Sequence, residues 1–170
     1  MSWLRVLMLL ALIAWIGGVA FLAFVEAPSA FSVLPSTHLA GLVVGRSLTA
    51  LHWIGIFAAG IFLTSSLALN YLSNYRFRVL SASHMLIVVM LAFTLVSQFC
   101  ITPRMREVRS QMEMVQTPGY DPYVPGSVPD LIARRQFNQF HKWSERLEGA
   151  VLFLGLGVVI LTARRFGASS

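Results

Sequence analysis

Three stretches of this chain are long and apolar enough to cross a bilayer, and that removes most of the folds open to 170 residues. The first runs from Trp3 to Val25 and is broken only by Arg5. The second runs from Ser47 to Leu69, with His52 as its only ionisable side chain. The third runs from Leu80 to Ile101, with His84 near its start and Gln98 near its end. Each reaches the ~20 residues that cover a ~30 Å hydrocarbon core. Backbone N–H and C=O groups find no water in lipid, so the stretches must be helices. The first exceeds the about 7–15 residues of a signal-peptide core and reads as a retained span. Composition agrees. Charged residues make up 12% of the chain, against about 25% in a soluble domain. With 56% hydrophobic residues and a mean hydropathy of +0.71, the apolar excess faces lipid.

A fourth crossing is harder to place. Uncharged residues run only from Gly149 to Ala163, which spans about 22 Å and falls short of the core. The helix must recruit residues before Gly149, among them His141, Lys142, Glu145, Arg146 and Glu148, or the bilayer must thin. Arg164 and Arg165 can snorkel at the far end. The fold class expected is therefore all-α, an integral membrane four-helix bundle in a single transmembrane domain over 1–170. Helices are expected at about 3–25, 47–69, 80–101 and 144–163, with a long polar loop at about 102–143.

Prolines punctuate the pattern. Pro28 kinks or ends the first helix, Pro35 falls in the connection, and Thr102-Pro103 opens the long loop. After it, Met105, Val108, Met112 and Val115 sit three or four apart among Arg104, Arg106, Glu107, Arg109 and Glu113. That pattern predicts an amphipathic helix on the membrane surface or against the bundle. Pro118, Pro122, Pro125 and Pro129, with Gly119 and Gly126, predict an irregular stretch, and Asp130 can cap a helix beginning at Leu131. Small residues at helical spacing, Ala14 with Gly18 and Gly55 with Ala59, predict close helix approach. Gly155-x-Gly157 reads as packing rather than a nucleotide loop.

The net charge of +6 does not point to nucleic acid, because the basic residues flank the apolar stretches, where lipid headgroups account for them. Four crossings put both termini on one side. The short loops, with Arg76 and Arg78, favour the cytoplasm of a bacterial inner membrane, although the opposite side carries more Lys and Arg in total. The lone Cys100 rules out an intrachain disulfide and a cysteine metal cluster.

Helix direction sorts the polar groups by depth. Glu26, His52, Gln98, His141, Glu145 and Glu148 fall toward one face of the membrane, with His38 and Arg46 in the first connection on that side, and His84 falls toward the other. His141, Glu145 and Glu148 are spaced i, i+4, i+7 and share one helical stripe. Ionisable groups at membrane depth turn to a partner or a cavity. The candidate polar site is therefore His52, Gln98, Arg104, His141, Glu145 and Glu148, suited to a cation, a proton relay or a polar headgroup. The bland alternative is a structural pair, His141 with Glu145, stapling the last helix to the loop, with arginines as counter-charges. A second alternative is haem or metal ligation by His52 and His141. An enzyme acting on lipid is a third, but no nucleophile stands beside His141. No glycine-rich phosphate loop, Gly-x-Ser-x-Gly elbow or His-Glu-x-x-His occurs.

Two blocks carry a family resemblance. One is Ala14-Trp15-Ile16-Gly17-Gly18, then Phe31-Ser32-Val33-Leu34-Pro35-Ser36, then the His52 segment. The other is Thr102-Pro103-Arg104-Met105, then Asp121-Pro122-Tyr123, then Phe137-Asn138-Gln139-Phe140-His141 and Ser144. Together they resemble the transmembrane protein 205-like family, whose bacterial members are classed as a domain of unknown function. The resemblance implies a four-helix membrane protein with a long connection before the last helix. It maps family histidines onto His52 and His141, and implies no settled activity. Ser144-Glu145-Arg146-Leu147-Glu148 replaces the namesake's Ser-Ser-Leu-x-Asn, so the acidic stripe belongs to this chain or its branch.

Overall fold

The computed structural model describes residues 2–72, 82–114 and 128–167. They form six α-helices: α1 (Ser2–Phe21), α2 (Ala27–Val33), α3 (Thr37–Leu72), α4 (Ala82–Val96), α5 (Thr102–Met114) and α6 (Val128–Gly167). Wider π-helical turns, Leu22–Glu26 and Ser97–Ile101, join α1 to α2 and α4 to α5. There is no strand among the described residues. The expected turn with Asn74, Arg76 and Arg78 lies outside them, as do Val115, Arg165's side chain and the prolines between 117 and 127.

Both π turns have the same cause. Each ends two residues before a proline, Pro28 and Pro103. A proline inside an α-helix lacks the N–H for its own bond, and its ring collides with the carbonyl four residues back. An i→i+5 turn just upstream moves that carbonyl away. Ala27 donates its N–H to Leu22 O, and Thr102 donates to Ser97 O with both its N–H and its hydroxyl. Hence Pro28 and Pro103 do not end their helices, as the sequence reading allowed. The backbone stays helical from Ser2 to Val33 and from Ala82 to Met114. Pro35 does break the chain. Leu34 is extended before it, and Ser36 Oγ accepts from Leu39 N–H to start α3.

Four stretches, Trp3–Val33, Thr37–Leu72, Ala82–Ser110 and Ile132–Arg164, are long and apolar enough to span a membrane. Their neighbours close a ring: α1 packs on α3, α3 on α4, α4 on α6 and α6 on α1. The protein is an all-α bundle embedded in a membrane. Large apolar side chains such as Phe24, Phe57 and Phe153 point outward at about 70% exposure, a surface that water would not tolerate at this density. Trp15, Phe62, Leu12, Ile87 and Met90 fill the interior.

Two helices differ from expectation in length. α3 begins at Thr37 rather than near Ser47, so His38 and Arg46 are helical and not in a connection. α6 has 40 residues and begins at Val128, so the stretch 128–143, assigned above to the polar loop, is the front part of one continuous helix. Pro129 is tolerated there because the first turn needs no N–H bond, and Asp130 falls inside that turn rather than at a cap. A helix of 40 residues is about 60 Å long, twice the hydrocarbon core. The overhanging parts of α3 and α6 gather with α2 and α5 on one side of the bundle. Arg109 ties them. It donates to Gly41 O on α3 at 3.3 Å and lies 5.3 Å from the Phe137 ring centre on α6.

Small residues set the closest approaches. A Cβ on Gly55 would meet Trp15 Nε1 at 2.5 Å, and one on Gly155 would meet Ile16 at 2.7 Å. Gly18 backs onto Leu51, whereas its expected partner Ala14 is exposed. Gly155 and Gly157 both face α4 side chains, which accounts for that motif as packing.

Candidate functional site

Among the described residues, an imidazole, a carboxylate, an amide and a hydroxyl meet in one hydrogen-bonded cluster inside the bundle. His52, in the first half of α3, is 1% exposed. Its Nδ1 lies 2.8 Å from Gln98 Oε1 and its Nε2 lies 2.7 Å from Glu148 Oε1. Ser97 donates its hydroxyl to the same Glu148 oxygen at 3.2 Å. Three helical segments therefore meet at one imidazole. α3 supplies the ring, the π turn after α4 supplies Ser97 and Gln98, and α6 supplies the carboxylate.

The π turn explains how two adjacent residues serve one site. In an α-helix Ser97 and Gln98 would diverge by about 100°. The wider turn reduces that angle, so the Ser97 hydroxyl reaches Glu148 while the Gln98 amide reaches His52. π-helical turns recur at functional sites for this reason. Pro103, which enforces the turn, thereby shapes the site from five residues away.

The contacts admit two proton arrangements. With Gln98 Oε1 accepting from Nδ1–H, one further proton lies between Nε2 and Glu148 Oε1, and the pair is neutral overall whichever atom holds it. If the Gln98 amide rotates, its NH2 donates to Nδ1 and Nε2–H donates to the carboxylate, and the pair carries one proton fewer. In both arrangements each His52 ring nitrogen keeps a hydrogen-bond partner from the same two side chains. The site can take or release one proton with only an amide rotation, which suits a proton-binding element.

The other sequence candidates lie elsewhere. Arg104 is exposed on α5. His141 and Glu145 pair with each other at 3.1 Å, at 47% and 63% exposure, on the overhanging part of α6. The stripe is real, but it runs from surroundings outside the bundle at His141 to the core at Glu148. Only its last member reaches His52. Phe137 stacks on His141, and Asn138 is exposed while Ser144 is buried. His84 is buried at the opposite end, against Phe62. Haem or metal ligation by His52 with His141 does not fit this arrangement. Both His52 nitrogens already face oxygens, and His141 sits about 10 Å farther along α6 than the carboxylate that His52 touches. Among the described residues no group of three His, Cys, Asp or Glu side chains converges. Cys100 is exposed and outside the site.

Sequence reasoning missed Ser97. A serine in an apolar helix is usually packing, and the only signal was its distance from Pro103.

No curated protein and no solved structure matches the chain. Residues 10–114 match a family described as a domain of unknown function, DUF4149. The match covers His52, Ser97, Gln98 and Pro103 and ends before α6, so Glu148 lies outside it. Three of the four spanning helices, the π turn before Pro103 and the buried His52 fall within or across the matched region, and the chain belongs to the DUF4149 family.

Proposed function

We propose that this protein handles an ion within the membrane, that the ion is the proton, and that His52 and Glu148 hold it. One observation carries the reading: an imidazole 1% exposed, with both nitrogens engaged, joined to a carboxylate at 2.7 Å inside an apolar bundle. Ionisable groups at this depth are costly, and they mark ion and proton paths in membrane proteins. A structural staple needs no second protonation state, whereas Gln98 offers one. Glu148 retains 15% exposure, and this edge of the carboxylate is where a proton would enter.

The test is NMR of 15N-histidine and 13C-glutamate protein in lipid nanodiscs across a pH series. The His52 ring nitrogens and the Glu148 carboxyl should respond together, at one pH, and Glu148→Gln should abolish the His52 response. Separate responses, or none, would remove the proton-site reading.

The same proposal places both termini in the cytoplasm of a bacterial inner membrane, with the overhanging helices on the opposite side. The four crossings and the arginines of the short loops support this. A reporter fused after Ser170 that is active only outside the cytoplasm should stay silent. The residue blocks around His52 and His141 also support kinship with the transmembrane protein 205-like proteins.

A further inference from the structure

The polar residues of the His52 layer recur fourteen positions along each of their helices. Ser66 follows His52 by fourteen, Ser83 and His84 precede Ser97 and Gln98 by fourteen, and Thr162 follows Glu148 by fourteen. Fourteen residues are two heptads, the interval that returns to the same face in a packed bundle, about 21 Å along the axis. All four are buried. Facing contacts hold the register. Ser97 bonds Glu148, and Met90 touches the Gly155 position, so the antiparallel pairing of α4 and α6 brings Ser83 level with Thr162. His52 bonds Gln98, and Phe62 packs on His84, so α3 brings Ser66 to the same level.

Between the layers stands Thr94, 1% exposed. Thr49 and Thr64 satisfy their hydroxyls on carbonyls of their own helix, the usual habit in apolar helices. Thr94 does not: its Oγ1 has no partner among the described residues, and neither does Ser83 Oγ. Buried hydroxyls left this way hold water or await a ligand. No carboxylate accompanies the second layer among these groups, so a metal cation finds too few oxygen ligands there. Ile87, Met90 and Phe62, almost fully buried, are the apolar side chains of the interior near this level.

We propose that the Ser66–Ser83–His84–Thr162 layer is a second proton station, and that Thr94 links it through ordered water to the His52–Glu148 pair. The inference rests on the proton reading of that pair. In the step, the proton on His52 Nδ1 passes to water at Thr94, and the Gln98 amide turns so that its NH2 donates to the bared Nδ1. The shared proton stays on Nε2 and donates to Glu148, and the His84 imidazole takes a proton from the water to become imidazolium. It then releases that proton at its own end of the bundle. Charge and atoms balance, and no co-reactant is needed.

The experiment uses the full chain in liposomes enclosing a pH-sensitive dye, with a potassium gradient and valinomycin to set the potential. Wild-type vesicles should take up protons faster than empty ones. Thr94→Val, which keeps the shape and deletes the hydroxyl, should cut the rate at least about tenfold, the scale of losing a proton-transfer partner. His84→Asn should do the same, and Thr64→Val should leave the rate unchanged. A Thr94→Val rate equal to wild type overturns the inference. So does a wild-type rate equal to empty vesicles. If His52 and Glu148 still titrate together by NMR, that second result removes the route and spares the site. If they do not, both fall.

Discussion

Replacing both members of the His52–Glu148 pair should cost less than the two single replacements added together. Glu148→Leu leaves the His52 Nε2–H and the Ser97 hydroxyl without their acceptor in the interior, worth about 1–3 kcal/mol. His52→Leu is worse. It leaves a carboxylate facing apolar neighbours with only Ser97 as donor, and breaking a buried pair in this way costs about 3–5 kcal/mol. His52→Leu with Glu148→Leu removes both groups and fills the space with carbon. Only Gln98 and Ser97 then lose partners, so the loss should be about 1–2 kcal/mol. The coupling across the cycle is thus several kcal/mol, well above the ~0.5 kcal/mol within which independent sites add. The measurement is reversible unfolding in mixed micelles against the fraction of SDS, followed by tryptophan fluorescence, since Trp15 is buried beside Gly55. If the double variant loses the sum of the two single losses, the pair is not coupled and the argument from its burial fails.

The exposed pair on α6 should behave oppositely, with Glu145→Gln shifting stability by no more than about 0.5 kcal/mol in the same assay, because i,i+4 pairs at this exposure are screened. Gly55→Ala should destabilise by about 1–3 kcal/mol, since the new Cβ lands 2.5 Å from Trp15, and Gly17→Ala, with nothing within 4 Å, should be nearly neutral; equal effects would refute the packing account. Arg109→Ala should loosen the overhang, seen as faster hydrogen exchange in α5 and the front of α6 with α4 unchanged, because its bond to Gly41 and its contact with Phe137 both go. Pro103→Ala removes the cause of the π turn, so the His52 ring nitrogens should shift in NMR as Gln98 rotates away; an unchanged spectrum would show that the turn does not depend on the proline.

Membrane embedding and helix number are local properties, and a linear reading recovers them. Twenty apolar residues in a row have few alternatives to a spanning helix, whatever surrounds them. Glu26, Gln98 and Glu148 could likewise be sorted to one side by counting residues from helix ends. A helix starting near Leu131 was legible from Asp130 and the prolines before it, but its continuity with the last span was not, and neither was the helix over residues 37–46, because both depend on packing against α5 and α2. Proline misled for a similar reason. Its cost is absorbed by a π turn, which depends on neighbours that hold the chain in line. The site itself is a matter of rotation. His141, Glu145 and Glu148 share one stripe and differ only in how far α6 has entered the bundle. Only the way α3, the turn at Ser97 and α6 close on one another makes Glu148, and not its two neighbours, the partner of His52. Sequence periodicity gives the face of one helix; which faces meet is set by side-chain volumes such as Trp15 against Gly55, and these act between segments far apart in the chain.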